Sequence, residues 1–391
     1  MHCHNQRTQF RLWFRSWKCW SRLQICRLIS GIWRLQRCTG QNAGIGAPCR
    51  EVSITRPVTS TDVAKQAGVS QSAVSRAFSP GASIAPATRR KVLDAAAALN
   101  YRPNRIPAIM LSGRSRMVGV VVGGLSNPFY ASALERLAIS LRAEGLQILL
   151  VHVDDALTLD SALDHLLSYR VDAVVTALAV GTRSAARALS DMKIPVICFN
   201  SRLTGPWIST VVSNNRAAGN MAARVLLECG VKRPAWLAGP VRNTASRARG
   251  QGFIEGLRTD SSVSGDLIEL HGDDSYESGY DAICKMLAGG ARPDGLFSSN
   301  DLMACGAMDA LRQRGGLRCP EDVVMMGYDN IPQAGWHAYG LTSFDQQAER
   351  LVAMATELLE TALQPESGPV SRTCVIEAKL VARRSTTPQF I

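Results

Sequence analysis

TSTDVAKQAGVSQSAVSRAFSPGASIAPATRRKVLDAAAALNY, residues 59–101, is the stretch that decides the fold of the amino-terminal part of this chain. Thr59 and Asp62 have the spacing of a helix capping box, and small apolar residues follow at helical intervals up to a glycine. Ser70 can then cap a second helix, and a third is expected to begin at Pro86 because proline suits a first helical position. The third helix is expected to bury Val92, Leu93, Ala96 and Leu99. The stretch therefore predicts three short helices, of which the first two are joined by a tight turn.

The outer face of the second predicted helix carries three polar side chains, Gln71, Ser72 and Arg76. A helix, a short turn with glycine and a second helix form the geometry that places the second helix in the major groove of DNA. In that groove glutamine can pair with adenine, arginine with guanine, and serine with either. The alternative is an ordinary helical hairpin in which these side chains are only solvated. The pattern favours a helix-turn-helix head that contacts base edges.

The order AKQAGVSQSAVSRAF, followed by SIAPATRRKVLDAAAALNYRPNR, closely resembles the DNA-binding head of the lactose/galactose repressor (LacI/GalR) family. The resemblance runs without a gap. It implies a homodimer whose two heads bind the half-sites of a palindromic operator. It also implies base contacts for Gln71, Ser72 and Arg76 and phosphate contacts for Thr59, Ser70 and Asn104.

The net charge of +12 is unevenly distributed along the 391 residues. Residues 1–57 carry +9, residues 58–116 carry +7, and residues 117–391 carry −4. A basic end on a mildly acidic body is typical of a protein that contacts phosphate with one end only. The length suggests two or three domains. No apolar run approaches the roughly 18 residues that a membrane span needs, so no membrane partner is expected.

Residues 1–57 have a composition unlike the remainder of the chain, with four tryptophans, many arginines and no acid before Glu51. Arginine or lysine recurs every few residues, so the segment lacks the apolar centre of a secretory signal. An Arg/Trp element that lies on an anionic membrane or on nucleic acid is one alternative. We expect instead upstream sequence that has been read into the frame, with initiation near Val52 or Val58, and a disordered segment.

Residues 104–116 form the predicted linker after the head, which spans residues 58–103. In the resembling family this linker becomes a short hinge helix on operator DNA, and a leucine wedges between base steps in the minor groove. Met110 stands at that position and Leu111 lies beside it, so either side chain can fill the role. Pro107 opposes helical angles at the residue before it. A plain flexible linker is the alternative.

From Met117 onward, short apolar runs alternate with amphipathic stretches that end in glycine. The runs lie at residues 118–122, 148–153, 173–178, 196–199, 235–238, 267–270, 295–297 and 323–326. Such alternation implies parallel sheets with helices on both faces, and eight units are too many for one small sheet. We therefore expect an α/β core, residues 117–391, with two doubly wound lobes like those of periplasmic binding proteins. The first lobe is expected to comprise about 117–212 and 345–373, and the second about 213–343 and 374–388.

Polar side chains follow several of the predicted strands, at the sheet edge where such folds bind ligands. The candidates for contacts to a small molecule between the lobes are Asn127, Phe129, Asn200, Arg247, Arg249, Asn300, Asp301, Asp329 and Gln346. An aromatic ring can lie against a sugar face, while amide, carboxylate and guanidinium groups bond hydroxyl or acid groups. Asn127 and Asp301 have an alternative role as helix caps, and Arg247 an alternative as the surface partner of an acid.

The segments SNPFY, RARGQGF, SSND, GYDN and LVARRST resemble the same repressor family. The resemblance implies that Phe129, Asn200, Arg249, Asn300 and Asp329 line an effector cleft, with Gln346 close by. The chain departs from relatives at Asn214, where they have an acid, and at Asp274, where some have an aromatic residue that covers the ligand. These departures argue against a purine effector. A sugar or sugar acid is expected, since Arg249 with Arg247 would suit an anionic group.

These observations predict a cytoplasmic, homodimeric transcriptional regulator, most simply a repressor, whose effector changes its affinity for the operator. Whether the effector weakens or strengthens DNA binding stays open. The alternative is a periplasmic-type solute-binding protein with a basic amino-terminal segment. The sequence shows no nucleophile beside a histidine, no phosphate-cradling glycine loop and no paired metal ligands, so neither catalysis nor a cofactor or metal is expected. Scattered cysteines within apolar patterns indicate thiols of a reducing compartment, and the lack of a carboxy-terminal leucine heptad favours a dimer over a tetramer.

Overall fold

The computed structural model describes residues 56–79, 81–103, 114–153, 159–177, 187, 190–191, 193–200, 205–258, 267–364 and 368–386. The predictions for residues 1–55 and for Asn104, Met110 and Leu111 lie outside these residues. The chain divides into two compact units at the Pro103–Asn104 bond. We call the unit before this bond the head and the unit after it the core.

Residues 56–79 and 81–103 of the head contain three helices, as the sequence predicts. They are α1 (Ser60–Ala67), α2 (Gln71–Phe78) and α3 (Pro86–Ala98). Helix α1 ends at Gly68, which adopts a left-handed conformation with φ of 65°. The Ser70 hydroxyl accepts a hydrogen bond from the backbone N–H of Ala73 at 3.2 Å and so caps α2. Because α1 ends at Gly68 and Ser70 caps the start of α2, the two helices are joined by a tight turn.

The small core of the head is built from one side of each helix. Val63, Val74 and Val92 are fully or almost fully buried against one another and against Ala77. The prediction that Leu93 is buried was wrong, because its side chain is 42% exposed. Ala95 and Ala96 take the inward positions instead, since α3 presents small residues to its neighbours.

The core has two lobes, each with its own six-stranded sheet, which confirms the predicted α/β architecture. In the first lobe, the strands are β1 (Met117–Val122), β2 (Gln147–His152), β3 (Ala173–Ala177), β4 (Val196–Phe199), β5 (Ile208–Ser213) and β11 (Thr373–Ile376). They lie in the order β11-β5-β4-β3-β1-β2, and all of their pairings are parallel. Among the described residues, three helices of this lobe have defined bounds: α4 (Pro128–Ala143), α5 (Leu159–Ser168) and α10 (Ala348–Ala362).

In the second lobe, the strands are β6 (Pro234–Ala238), β7 (Ile268–His271), β8 (Gly295–Ser298), β9 (Val324–Tyr328), β10 (Thr342–Asp345) and β12 (Lys379–Val381). Their order is β12-β10-β9-β8-β6-β7, and only the edge strand β12 is antiparallel to its neighbour. The helices are α6 (Asn215–Glu228), α7 (Thr244–Leu257), α8 (Tyr276–Ala288) and α9 (Asp301–Ala310). A π-helical turn (Leu311–Gly315) follows α9, and a 3-10 turn (Pro332–Gly335) follows β9.

Alternate residues of each strand point to opposite faces of its sheet. Packed apolar side chains cover both of these faces. On one face of the second sheet, Trp236 and Phe297 pack with ring centroids 5.1 Å apart, against Phe253 of α7. On the other face, Leu237 and Leu296 belong to the cluster that covers α8 and α9. Burial of both faces explains why the strands appear in the sequence as continuous apolar runs rather than alternating ones.

The chain passes between the lobes three times. It leaves the first lobe after Ser213, returns between β10 and α10, and leaves again between Ile376 and Lys379. The predicted division at 373/374 falls inside β11, which pairs with β5 in the first sheet. The predicted first lobe resumes at residue 345. Asp345 is instead the last residue of β10, which pairs with β9 in the second sheet. The boundaries differ from those predicted because β5, β10, β11 and β12 are short strands with polar residues, which give no apolar run.

Helices α6 and α7 approach each other closely through glycines. A Cβ added at Gly219 would overlap the carbonyl oxygen of Arg249, and one added at Gly252 would overlap the carbonyl oxygen of Arg216. Both overlaps are with backbone, which cannot rotate away. The two helices therefore pack backbone against backbone.

We expect Gly252→Ala to lower the free energy of unfolding by at least about 2 kcal/mol, because the helices must separate. Alanine normally stabilises a helix relative to glycine by about 1 kcal/mol, so the sign of the change tests the packing. Urea unfolding followed by circular dichroism measures it. Gly368→Ala is the matched control, since a Cβ at Gly368 meets nothing within 4 Å. Equal stability of the two variants would contradict the close approach.

Candidate functional site

Asp329, directly after β9, accepts hydrogen bonds from side chains that come from separate parts of the core. Asn127 of the first lobe donates to one carboxylate oxygen at 2.8 Å. Gln346, in the second crossing between the lobes, donates to the other oxygen at 2.6 Å. All three side chains are buried. The carboxylate therefore joins the two lobes at the carboxyl ends of their strands.

Two further hydrogen bonds connect the lobes beside Asp329. Asn200, at the end of β4, donates from its amide to the side-chain oxygen of Gln346 at 2.8 Å. The hydroxyls of Ser213 and Tyr328 lie 2.8 Å apart, one from each sheet. Asn200 has a left-handed φ of 58°, a conformation that asparagine tolerates better than most residues. We call Asn127, Asn200, Ser213, Tyr328, Asp329 and Gln346, together with Asn215 and Arg249, the interlobe cluster.

Arg249 of α7 supplies the positive charge of the interlobe cluster. Its Nε donates to the side chain of Asn215 at 2.8 Å, and one terminal nitrogen donates to the carbonyl oxygen of Ser299 at 2.5 Å. The guanidinium carbon lies 3.6 Å from the centre of the Tyr328 ring, within the range of a cation–π interaction. Arg249 is 5% exposed, so its guanidinium group has little contact with solvent. The contacts with Asn215, Ser299 and Tyr328 therefore fix its position.

Burial sets the protonation of Asp329. It raises the pKa of this carboxyl to about 6, although Arg249 and the hydrogen bonds from Asn127 and Gln346 oppose the shift. Burial also raises the pKa of Tyr130, whose hydroxyl faces the same charges. For Asp329, desolvation outweighs the opposing charge of Arg249.

A second polar group lies on the second-lobe side, and it consists of Asn243, Asp274, Ser299 and Asn300. The carboxylate of Asp274 accepts from Asn243 at 3.0 Å and from Asn300 at 3.1 Å. Burial raises the pKa of Asp274, partly offset by Asn243 and Arg249. The Ser299 hydroxyl is buried and has no hydrogen-bond partner among the residues described. We call these four residues the Asp274 group.

Other predicted residues have contacts of their own. The Phe129 ring is buried and stacks on Phe199 at 6.4 Å between centroids. Asp301 is fully buried and accepts from the Ser343 hydroxyl at 2.7 Å and the Ile331 N–H at 2.9 Å. Asn300 caps α9 through the Met303 N–H at 2.8 Å, and Arg247 is exposed. Of the predicted effector residues, the structure brings together Asn127, Asn200, Arg249, Asp329 and Gln346.

Sequence reasoning did not include Tyr130, Asn215, Tyr328 and Asp274 among the site residues. Tyr130 and Tyr328 stand next to predicted residues in the motifs SNPFY and GYDN, so their motifs contained a signal. Asp274 stands at one of the two places where the chain departs from the resembling family, and Asn215 directly follows the other, Asn214. Only the three-dimensional structure shows that Asn215 holds the guanidinium of Arg249.

The outer face of α2 presents the predicted base-contacting residues. Gln71, Ser72 and Arg76 are all exposed. The Gln71 amide donates to the Ser60 hydroxyl at 2.8 Å, and the Ser70 and Ser72 hydroxyls lie 2.9 Å apart. These polar contacts between exposed groups can be exchanged for contacts to DNA at little cost, because solvent replaces them readily.

The Thr59 hydroxyl is oriented by the start of α1. It donates to the carboxylate of Asp62 at 2.7 Å, and the same carboxylate accepts the Thr59 backbone N–H at 2.9 Å. Asp62 also pairs with Arg56 at 2.8 Å. These bonds hold the pKa of Asp62 below its ordinary value, with the backbone hydrogen bond as the main cause.

Comparison with known families identifies both units. Residues 115–383 match the family described as periplasmic binding proteins and sugar binding domain of LacI family, and residues 59–104 match bacterial regulatory proteins, lacI family. The first match alone covers more than half of the 391 residues. The chain belongs to the lacI family.

Relatives of this lacI-family chain align over most of its length. The HTH-type transcriptional repressor PurR of Edwardsiella ictaluri is 29% identical over 327 residues, which cover 83% of this chain and 95% of the relative. The complex of the transcriptional regulator CelR with cellobiose has a TM-score of 0.63 at 30% identity, covering 84% of this chain and 100% of that one. The Lac repressor dimer bound to operator and the anti-inducer ONPF has a TM-score of 0.74 at 27% identity, covering 85% and 99%.

The family assignment gives each unit its role. The head is the DNA-binding helix-turn-helix domain of a transcriptional regulator, and the core is its effector-binding domain. The relatives compared above are regulators and repressors of transcription rather than enzymes. In the part of the chain that the structure describes, no helix is long and apolar enough to cross a membrane.

The buried carboxyl of Asp329 predicts a pH-dependent stability. Because its pKa is raised to about 6, the folded protein holds this proton more tightly than the unfolded chain. The resulting stabilisation is complete below about pH 4 and is lost as the pH rises through about 6. We expect the unfolding free energy of the wild type, minus that of Asp329→Asn, to fall by roughly 3 kcal/mol between about pH 4 and pH 7.

Urea unfolding over this pH range measures the difference, and Arg249, Asp274 and Asp301 are present in both proteins. Asp322→Asn is the control, because a backbone hydrogen bond from Arg318 lowers the pKa of Asp322. Its titration in the folded protein therefore ends below the range, and its difference should stay nearly constant, rising slightly as the unfolded carboxyl finishes ionising. A constant difference for Asp329→Asn as well would show that the carboxyl is not held in its protonated form by burial.

Proposed function

We propose that this chain is a homodimeric repressor and that a small hydroxylated metabolite, bound at the interlobe cluster, changes its affinity for a palindromic operator. The observation that carries the proposal is the hydrogen bond from Asn127 of the first lobe to Asp329 of the second. A ligand that exchanges this bond for its own contacts touches both lobes at once. Its occupancy is then linked to the angle between them.

The interlobe cluster can respond to a ligand because its polar groups are paired with one another. Asn127, Asn200 and Gln346 are amides, which can donate to or accept from a hydroxyl without a change of charge. A ligand changes the equilibrium between two lobe arrangements only by binding one of them more tightly. Coupling of about 1–3 kcal/mol between effector and DNA sites, typical of such proteins, corresponds to a 5–150-fold change in operator affinity.

The proposed DNA contacts divide into two kinds. Gln71, Ser72 and Arg76 contact base edges in the major groove, and Thr59 and Ser70 contact phosphate. Asn104, Met110 and Leu111 keep their proposed roles, phosphate contact for the first and minor-groove insertion for the other two. Two identical heads fit a palindromic site because protein and DNA then share one twofold axis.

A sugar or sugar acid is the proposed effector class. Amide and carboxylate groups around an aromatic ring are typical of sites that bind hydroxyl groups, and Tyr130 supplies a ring beside this cluster. The solved CelR relative binds cellobiose, which supports this class for the chain. Regulation rather than catalysis is the proposed activity, and the cytoplasm is its place because the operator DNA lies there.

We expect Arg76→Ala to abolish the preference for operator over random DNA, since the guanidinium can bind guanine with two hydrogen bonds worth about 1–3 kcal/mol. The operator is first selected from a random duplex library, and affinities are then measured by fluorescence anisotropy. Arg90→Ala is the matched control, because Arg90 is exposed on α3 and lies off the outer face of α2. It should reduce the affinity for both DNAs alike or for neither. Loss of operator and random binding in equal measure by Arg76→Ala would count against base contact.

We expect Arg249→Ala to leave operator binding in place and to remove the response to the sugar that most raises the melting temperature of the wild type. The substitution removes the group that Asn215, Ser299 and Tyr328 hold at the cluster. Arg216→Ala is the control, since Arg216 forms an exposed ion pair with Glu255 on the same helix pair. Arg249→Lys, which keeps the charge, should show a weakened response. A folded Arg249→Ala that no longer binds operator would place Arg249 in the DNA-binding pathway instead.

A further inference from the structure

The three segments that carry the chain between the lobes are joined to one another by Glu377. The first segment contains Asn214, the second contains Gln347 and the third contains Glu377. One side-chain oxygen of Glu377 accepts a hydrogen bond from the Asn214 amide at 2.7 Å. The backbone carbonyl oxygen of Glu377 accepts a hydrogen bond from the side-chain amide of Gln347. Glu377 therefore links the third crossing to both of the others, and we call these three residues the crossing cluster.

The Asn214 side chain forms two hydrogen bonds that together require an amide. Its oxygen accepts the Ala217 N–H at 3.3 Å and so caps α6, while its nitrogen donates to Glu377. An aspartate could cap α6 equally well but could not donate to a carboxylate. The backbone N–H of Asn214 also donates to the Ile376 carbonyl at 2.8 Å. The amide at this position, where the resembling family has an acid, is thus matched to the carboxylate of Glu377.

Gln347 connects the crossing cluster to the interlobe cluster. It directly follows Gln346, whose buried side chain belongs to the interlobe cluster. Gln347 has a left-handed φ of 57°, which is uncommon for a residue other than glycine. Its N–H donates to the Asp345 carboxylate at 2.7 Å and its side chain donates to the Glu377 carbonyl, so both ends of the residue are held. Two consecutive glutamines therefore bond the cleft and the third crossing.

We propose that Glu377 is a positioning residue that holds the three crossings in the lobe arrangement of this structure and so sets how readily the lobes change their angle. This inference rests on the proposed function, in which the angle between the lobes is linked to operator affinity. A change of that angle moves the crossings against one another, and the hydrogen bonds of Glu377 oppose it. Hydrogen bonds at the surface contribute little to total stability, but a balance between two arrangements responds to small differences.

Exchanging donor and acceptor between Asn214 and Glu377 separates positioning from general stability. Asn214→Asp keeps a cap for α6 and places a negative charge at a helix N-terminus, where it is favourable, so its main cost is repulsion by Glu377. Glu377→Gln keeps an oxygen that can accept from Asn214. In the double variant Asn214→Asp/Glu377→Gln, the new amide donates to the new carboxylate, so the hydrogen bond is restored in the opposite direction.

Operator affinity is measured on the full chain without effector, by fluorescence anisotropy with the selected operator duplex and with random duplex. We expect Asn214→Asp and Glu377→Ala to change the operator dissociation constant by at least about threefold. Glu377→Gln and the double variant should remain within about twofold of the wild type, and affinity for random duplex should not change in any variant. Asn220→Asp, which adds the same charge further along α6, is the control and should keep the wild-type affinity.

Hydrogen exchange followed by mass spectrometry measures the crossings directly. The backbone N–H groups of Asn214 and Gln347 should exchange at least about threefold faster in Asn214→Asp and return to the wild-type rate in the double variant. A purely structural role would lower the melting temperature of Asn214→Asp and leave its operator affinity unchanged, and that result overturns the inference. Failure of the double variant to restore the affinity also overturns it. A wild type that binds operator no better than random duplex contradicts the proposed function instead.

Discussion

The carboxylate of Asp329 is the group on which the arrangement of the core depends. It lies where the two lobes meet, and it accepts hydrogen bonds from Asn127 of the first lobe and from Gln346 of the crossing segment. Each lobe buries apolar residues on the faces of its own sheet, and one large apolar cluster contains residues of both lobes. The contact between the lobes at this edge is instead polar. Polar groups can exchange one hydrogen-bond partner for another, whereas a packed apolar core cannot do so without creating a cavity.

At the strand ends around Asp329, hydrogen bonds between polar side chains link the two lobes, so this part of the contact between them can be adjusted. The three crossings occur at short segments, one of which contains Gln347 with a left-handed φ of 57°. Gln346, the preceding residue, is 1% exposed and bonds both Asn200 and Asp329. A change in the hydrogen bonds of Gln346 therefore acts directly on a segment that connects the lobes. This proximity is the physical basis for a ligand-controlled regulator built on this fold.

Much of the fold follows from short-range patterns in the sequence. Ser70 and Pro86 mark helix starts because caps act locally, and the long apolar runs mark strands because both sheet faces are buried. Strand β5, whose sequence ISTVVS contains polar residues, gives no such run, and its place beside β4 is decided by distant packing. The site shows the same limit: Asp329 follows from its position at a strand end, whereas the contact of Asn215 with Arg249 depends on how α6 meets α7.

The backbone contact between α6 and α7 has a consequence for how ligand preference can diversify. Asn215 begins α6 and Arg249 lies within α7, so the glycines that join these helices fix the distance between the two side chains. Substitutions that shift one helix against the other would disrupt the whole lobe. New specificities therefore have to arise from residues such as Asp274, which stands on a connecting loop. In this lineage, divergence is expected to concentrate in the loops around a guanidinium that stays in place.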